Sequence, residues 1–223
     1  MTKETFEKSL QRQSNVVEQI RQAAHQLHDS VNQTYGDDLP YGYHLDMVAN
    51  GVREFGHLVC AADNDVLPLM FGAYFHDSIE DARLTYNDVM NRARLLMTEE
   101  QARMATEIVY ALTNEKGRTR AERADERYYK GIRETPYAPF LKLCDRMANI
   151  TFSCAVDGSA NSRMKQVYKE ELHHFLEAID PHSDDPRFSV PTAVVFRIAS
   201  CLVDDLEREE KTLGGWLSNF VTT

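Results

Sequence analysis

Nowhere in this 223-residue chain do two cysteines stand in a CxxC pair. Cys60, Cys144, Cys154 and Cys201 are widely scattered, which excludes zinc-ribbon and dithiol redox motifs and leaves free thiols. Also missing is any apolar run near the ~20 residues that a membrane span needs. The N-terminal MTKETFEKSL has no apolar core of a secretion signal, so a cytosolic protein that meets no membrane is expected. Basic charge is short as well: 25 Lys and Arg against 35 Asp and Glu give a formal net charge of −10. With a pI near 5.3, the chain is not built to wrap nucleic acid or dock on anionic lipid. An anionic small-molecule partner would need a local basic cluster or a metal to attract it. No strand pattern, internal repeat or low-complexity tract stands out. Hydrophobic residues at 43% and charged residues at 27% are ordinary for a globular domain.

What is present is helical periodicity. From about residue 3 to 32, apolar positions fall at Val16, Ile20, Ala23, Ala24, Leu27 and Val31. The turn-rich TYGDDLPYGY (34–43) ends that helix, and Leu45, Val48, Val52, Phe55 and Val59 mark the next, beginning near His44. Asn64 or Asp65 is placed to cap the helix that carries His76, and Thr98 opens a helix running to about Ala111. The polar stretch 113–134 becomes helical after Gly117, and Pro139 fits a helix's first turn. Leu141, Cys144, Ala148 and Phe152 give a buried face, and further helical patterns cover about 161–179 and 191–213. The expected fold is an all-α bundle of roughly eight helices, in one domain spanning 1–223.

The segment FHDSIEDA carries the chemistry. It places His76, Asp77, Glu80 and Asp81 directly after the apolar run VLPLMFGAYF. On a helix, Asp77 would sit near ~100°, Glu80 near ~40° and Asp81 near ~140° from His76, sharing one arc. A solvated charge run produces the same pattern, but ionisable groups at the end of a core helix need compensation, and a divalent cation is the simplest kind. Asp145 falls on or beside the buried stripe of its helix, with Asn149 one turn later on the same face. His44 opens an apolar-periodic helix, so its side chain can point inward. His44, His76, Asp77 and Asp145 together make a mixed nitrogen and oxygen donor set suited to Mn²⁺, Fe²⁺, Co²⁺ or Zn²⁺.

Three stretches resemble the hydrolase domain of the Rel/Spo stringent-response enzymes and the small alarmone hydrolases, within the HD-domain phosphohydrolases. They are PYGYHLDMVA, FHDSIEDA and LKLCDRMANI, and the family-like core runs from about 20 to 180. The resemblance implies an HD-domain helical bundle holding one Mn²⁺ by His44, His76, Asp77 and Asp145. It further implies that Glu80 and Asp81 handle the nucleophilic water and that Asn149 helps shape the substrate site. The implied reaction removes pyrophosphate from the 3′ position of guanosine tetra- or pentaphosphate, without synthesis, because no synthetase or regulatory domain follows.

The resemblance has gaps. The family commonly packs a basic pair against the guanine base between the first helix and the PY segment; here VNQTYGDDLPY brings Asp37 and Asp38 instead. Leu45 replaces the usual proline. Another nucleotide or a nucleotide cofactor therefore stays open as substrate, as does a non-catalytic metal or nucleotide sensor. Phosphate contacts are expected from Lys142 and Arg146, which flank Asp145, or from the cluster Lys116, Arg118, Arg120 and Arg123. That cluster reads equally as a solvated face, and Arg146 equally as the partner of an acid in the bundle. His173 and His174 read as a polar helix face, while His25, His28, His57 and His182 receive no assignment.

Overall fold

The computed structural model describes residues 1–36, 38–114, 125–155 and 159–203. Asp37, the basic cluster at 116–123 and the last part of the helix expected at 191–213 lie outside them. The protein is all-α. Ten helices occur among the described residues: α1 (Lys3–Arg12), α2 (Ser14–Ser30), α3 (Gly42–Phe55), α4 (Val66–Phe75), α5 (Tyr86–Arg94), α6 (Glu99–Leu112), α7 (Glu126–Glu134), α8 (Ala138–Ala155), α9 (Ser159–Ile179) and α10 (Thr192–Leu202). None is long and apolar enough to cross a membrane.

The order is set by α4. All ten of its residues are buried, because VLPLMFGAYF offers no polar face to water. Helices α1, α2, α3, α6 and α8 pack around it. Gly72 permits two of them to approach closely. A Cβ there would meet Leu141 Cδ1 on α8 at 2.7 Å and Ile108 Cγ2 on α6 at 2.8 Å. Gly72→Val is therefore expected to cost about 2–3 kcal/mol through overpacking. Differential scanning calorimetry should show the midpoint falling on the order of 5–10 °C, and an unchanged midpoint would mean that α4 is not tightly gripped.

Several local features differ from expectation for identifiable reasons. The first helix is two, broken at Gln13, whose side-chain NH₂ turns back to Ser9 Oγ at 2.6 Å, and Phe6 of the first piece packs against Gly56. Helix α5 was not foreseen, although Thr85 and Asp88 form a capping box at its start and Val89, Met90 and Ala93 are buried. Asp65 does occupy the N-cap of α4, but its side chain makes no cap hydrogen bond and accepts the Tyr137 hydroxyl instead. Inside the turn region a two-residue ribbon forms, Thr34–Tyr35 against Leu39–Pro40, with Gly36 at φ +61° making the reversal.

The correction that bears most on function is the end of α4. The helix stops at Phe75, and residues 76–82 are a run of turns, with Ser78 N bonding Phe75 O and Asp81 N bonding Asp77 O. His76 ends the helix with its own ring: Nδ1 lies 2.9 Å from Ala73 O, one of the carbonyls that termination leaves unpaired.

Candidate metal centre

Three elements bring the expected ligands together. His44 is the third residue of α3, His76 and Asp77 follow the end of α4, and Asp145 sits mid-way along α8. Helices α3 and α8 pack directly, and Gly51 lets Met147 and Cys144 come close, which sets His44 opposite Asp145. The two imidazoles face each other with Nε2 atoms 3.2 Å apart. Asp77 Oδ2 is 2.9 Å from His76 Nε2 and 3.7 Å from His44 Nε2. Asp145 Oδ1 is 3.4 Å from His44 Nε2 and 3.9 Å from His76 Nε2. The possible ligand atoms of His44, His76 and Asp145 all lie within 4.8 Å of one another.

Each donor is oriented from behind. Because His76 Nδ1 bonds a carbonyl, it must carry the hydrogen, so a neutral His76 presents its Nε2 lone pair to the centre. The Tyr35 ring stacks on His44 at 4.8 Å, while His44 Nδ1 is buried with no hydrogen-bond partner. Lys142 Nζ donates to Asp145 Oδ2 at 2.9 Å, and Asn149 Nδ2 donates to Asp145 Oδ1 at 2.7 Å. Tyr35 Oη in turn donates to Asn149 Oδ1 at 3.0 Å. Tyr41 Oη donates to Asp77 Oδ2 in a short hydrogen bond.

The electrostatics follow from this packing. Burial opposes charge on Asp145, but Lys142 and the two imidazoles outweigh it and hold the carboxyl well below its ordinary range. Asp77 behaves alike: burial would raise it, and His76 pulls it down. For His76, burial favours the neutral ring, yet the Asp77 carboxylate wins and lifts the pKa to about 9. Lys142 is likewise disfavoured by burial but raised overall by Asp145, so it stays charged. In metal-free protein at neutral pH, Lys142 and a protonated His76 thus balance Asp77 and Asp145.

Asp81 is half-buried, and burial together with the Asp77 charge raises its pKa. Its Oδ2 accepts from Gln33 Nε2 at 2.6 Å. Glu80 turns outward: it is exposed, and both its oxygens are within hydrogen-bond reach of the Asn114 side chain, at 2.9 and 3.1 Å. The structure therefore does not put Glu80 and Asp81 on one shared helix face. Beyond Asn114 opens a cleft of about 390 Å³ lined in part by Tyr110, Arg127 and Tyr128.

Two expected phosphate contacts are engaged elsewhere. Lys142 neutralises Asp145, and its ammonium lies over the Tyr128 ring. Arg146 is 9% exposed, pairs with Glu171 at 3.2 Å and lies 4.2 Å from the centroid of Phe175, which places its guanidinium against α9. His173 is exposed and pairs with Glu177 on the polar face of α9.

Sequence reading missed Tyr35, Tyr41, Gln33 and His28. Only His28 carried a signal, since it continues the apolar stripe Ile20, Ala24 at four-residue spacing. His25 is a tie between helices: with Arg21 it grips Asp46 of α3, its Nε2 lying 3.2 Å from Oδ1. No protein-family model matches this chain, and no curated protein matches it.

Proposed function

We propose that this protein is a metal-dependent phosphohydrolase acting on a nucleotide phosphate, with Mn²⁺ held by His44, His76, Asp77 and Asp145. The observation that carries the proposal is the meeting of two imidazole Nε2 atoms at 3.2 Å with carboxylate oxygens of Asp77 and Asp145 around them. Such a group of lone pairs is stable only around a proton or a cation, and its nitrogen and oxygen donors suit Mn²⁺, Fe²⁺, Co²⁺ or Zn²⁺. Bound there, the ion supplies Lewis-acid chemistry, drawing charge from phosphate oxygens and acidifying water.

The chain's own groups do the rest. Lys142 and Asn149 keep Asp145 ionised and aimed, and Tyr41 does so for Asp77. Asp81, with its raised pKa, is the group suited to take a proton from attacking water. Glu80, exposed beside Asn114, is assigned a share of that duty. Replacing either acid by its amide, Glu80→Gln or Asp81→Asn, should lower kcat by about 10²-fold or more. Mn²⁺ affinity should stay near the wild-type value in titration calorimetry, and turnover equal to wild type in either variant would remove that acid's role.

Guanosine tetraphosphate, losing its 3′-pyrophosphate, is the best single substrate. The residues around the PY turn favour testing beyond it, since Asp38 stands exposed there without a Lys or Arg near in sequence. A panel of nucleotides and nucleotide cofactors with added Mn²⁺, scored for phosphate and pyrophosphate release, decides. Silence toward the guanosine alarmone alone would shift the substrate; silence toward all, with metal bound, would leave a sensor.

A further inference from the structure

We infer that His28 and Gln33 are positioning residues of this centre, forming a hydrogen-bonded relay that aims Asp81. The inference rests on the phosphohydrolase reading above and adds residues that reading does not use.

The relay begins with backbone geometry. Helix α2 ends in a Schellman motif: Asn32 takes φ +54°, Gln33 N bonds His28 O at 3.2 Å, and Asn32 N bonds Asp29 O at 3.0 Å. In that motif the side chains at the positions of His28 and Gln33 are brought together, ordinarily through an apolar contact. Here the contact is polar. His28 Nδ1 is 2.6 Å from Gln33 Oε1, and Gln33 Nε2 is 2.6 Å from Asp81 Oδ2.

The direction of the relay is fixed by its end. An ionised Asp81 can only accept, so the Gln33 amide must turn its NH₂ toward Asp81 and its oxygen toward His28. An oxygen only accepts, so His28 must carry its hydrogen on Nδ1. Nε2 of His28 is then a bare lone pair, and it is buried without a partner, in a residue that is 0% exposed. Leaving a buried nitrogen unpaired costs free energy, and the fold accepts that cost at a histidine whose other nitrogen holds the relay. The same ring stacks on Tyr41 at 4.7 Å, and Tyr41 bonds Asp77. One imidazole thus braces the carboxylates on either side of the HD turn, through Gln33 to Asp81 and through Tyr41 to Asp77.

The test uses three variants of the full chain. Gln33→Met keeps the volume and removes the donor to Asp81. His28→Phe keeps the stack on Tyr41 and removes the donor to Gln33. His28→Asn loses the stack but offers a side-chain N–H where Nδ1–H stood. With Mn²⁺ and the substrate that the nucleotide panel identifies, Gln33→Met and His28→Phe should lower kcat by roughly 10–100-fold, the range for groups supporting a reactive residue. KM and Mn²⁺ affinity should hold within about twofold, because neither residue is a ligand. His28→Asn should recover most of the kcat although it leaves a larger cavity and melts lower than His28→Phe. Nitrogen-15 NMR of the metal-free wild type should find His28 neutral with its hydrogen on Nδ1. Overturning results are a kcat that follows melting temperature instead of the donor, an unaffected Gln33→Met, or His28 protonated on Nε2. A wild type inactive on every nucleotide overturns the phosphohydrolase reading and this inference with it, whereas an active wild type with indifferent variants overturns the inference alone.

Discussion

Asp145→Ala is expected to weaken Mn²⁺ binding by well over ~10²-fold, since losing even a supporting residue costs 10–100-fold. The same change should lower stability in protein kept metal-free with a chelator. The cause of the second effect separates this residue from the other ligands. Asp145 is the counter-ion of Lys142, whose side chain is only 16% exposed and which has its charge favoured by that carboxylate. Removing one partner of a buried pair strands the other, a loss of about 3–5 kcal/mol. For a chain of this size the melting midpoint should drop on the order of 10 °C. His44→Ala should lose the metal as severely, and the stability it loses, from the cavity left beneath Tyr35, should not return when Lys142→Met is added. Adding Lys142→Met to Asp145→Ala should restore much of the lost stability and none of the metal binding. Scanning fluorimetry with chelator and Mn²⁺ titration calorimetry on these proteins read both effects. An Asp145→Ala protein that binds Mn²⁺ like wild type would refute the centre.

The sequence disclosed the donors of the centre better than their surroundings. Periodicity alone placed His44 at a helix start and Asp145 on a core-facing helix, and the structure joins them to His76 and Asp77. The end of α4 was not legible, because VLPLMFGAYF is apolar on every side and holds no stop signal between Gly72 and His76. The stop is tertiary and comes from the His76 ring bonding Ala73 O. Lys142 shows a different limit. Its spacing of three from Asp145 was visible, but sequence could not tell a cation that meets substrate from one that neutralises its neighbour. Arg146 depends on rings supplied by α9, some twenty or more residues away, and no local pattern forecasts that sandwich. The Schellman turn at Asn32 was hidden because the left-handed residue is not glycine.

Mn²⁺ affinity should rise about tenfold per pH unit between pH 6 and 8 and level off near pH 9, because one bound proton must leave. That proton sits on His76. Its pKa in the metal-free protein is lifted to about 9, since the Asp77 carboxylate at 2.9 Å outweighs the burial that favours the neutral ring. A raised folded-state value stabilises the protein fully below the ordinary histidine pKa of ~6.5, and the contribution is lost as pH climbs through about 9. Chelated protein should therefore lose stability across that window, by an amount on the order of a few kcal/mol. Mn²⁺-saturated protein should not, because the ion then occupies the place of the proton. Exchanging one proton for a divalent ion also changes the charge of the centre. Lys142 and His76 balance Asp77 and Asp145 before binding; afterwards Lys142 and the ion exceed the two carboxylates by one positive charge. In a chain of net charge −10, with Asp81 ionised beside the centre, that gain of one positive charge on binding favours the approach of an anionic phosphate. Calorimetric titrations in buffers of different ionisation enthalpy should count close to one proton released per Mn²⁺ at pH 7. An affinity that does not change from pH 6 to 8 would mean that His76 is already neutral, and that Lys142 alone offsets the carboxylates.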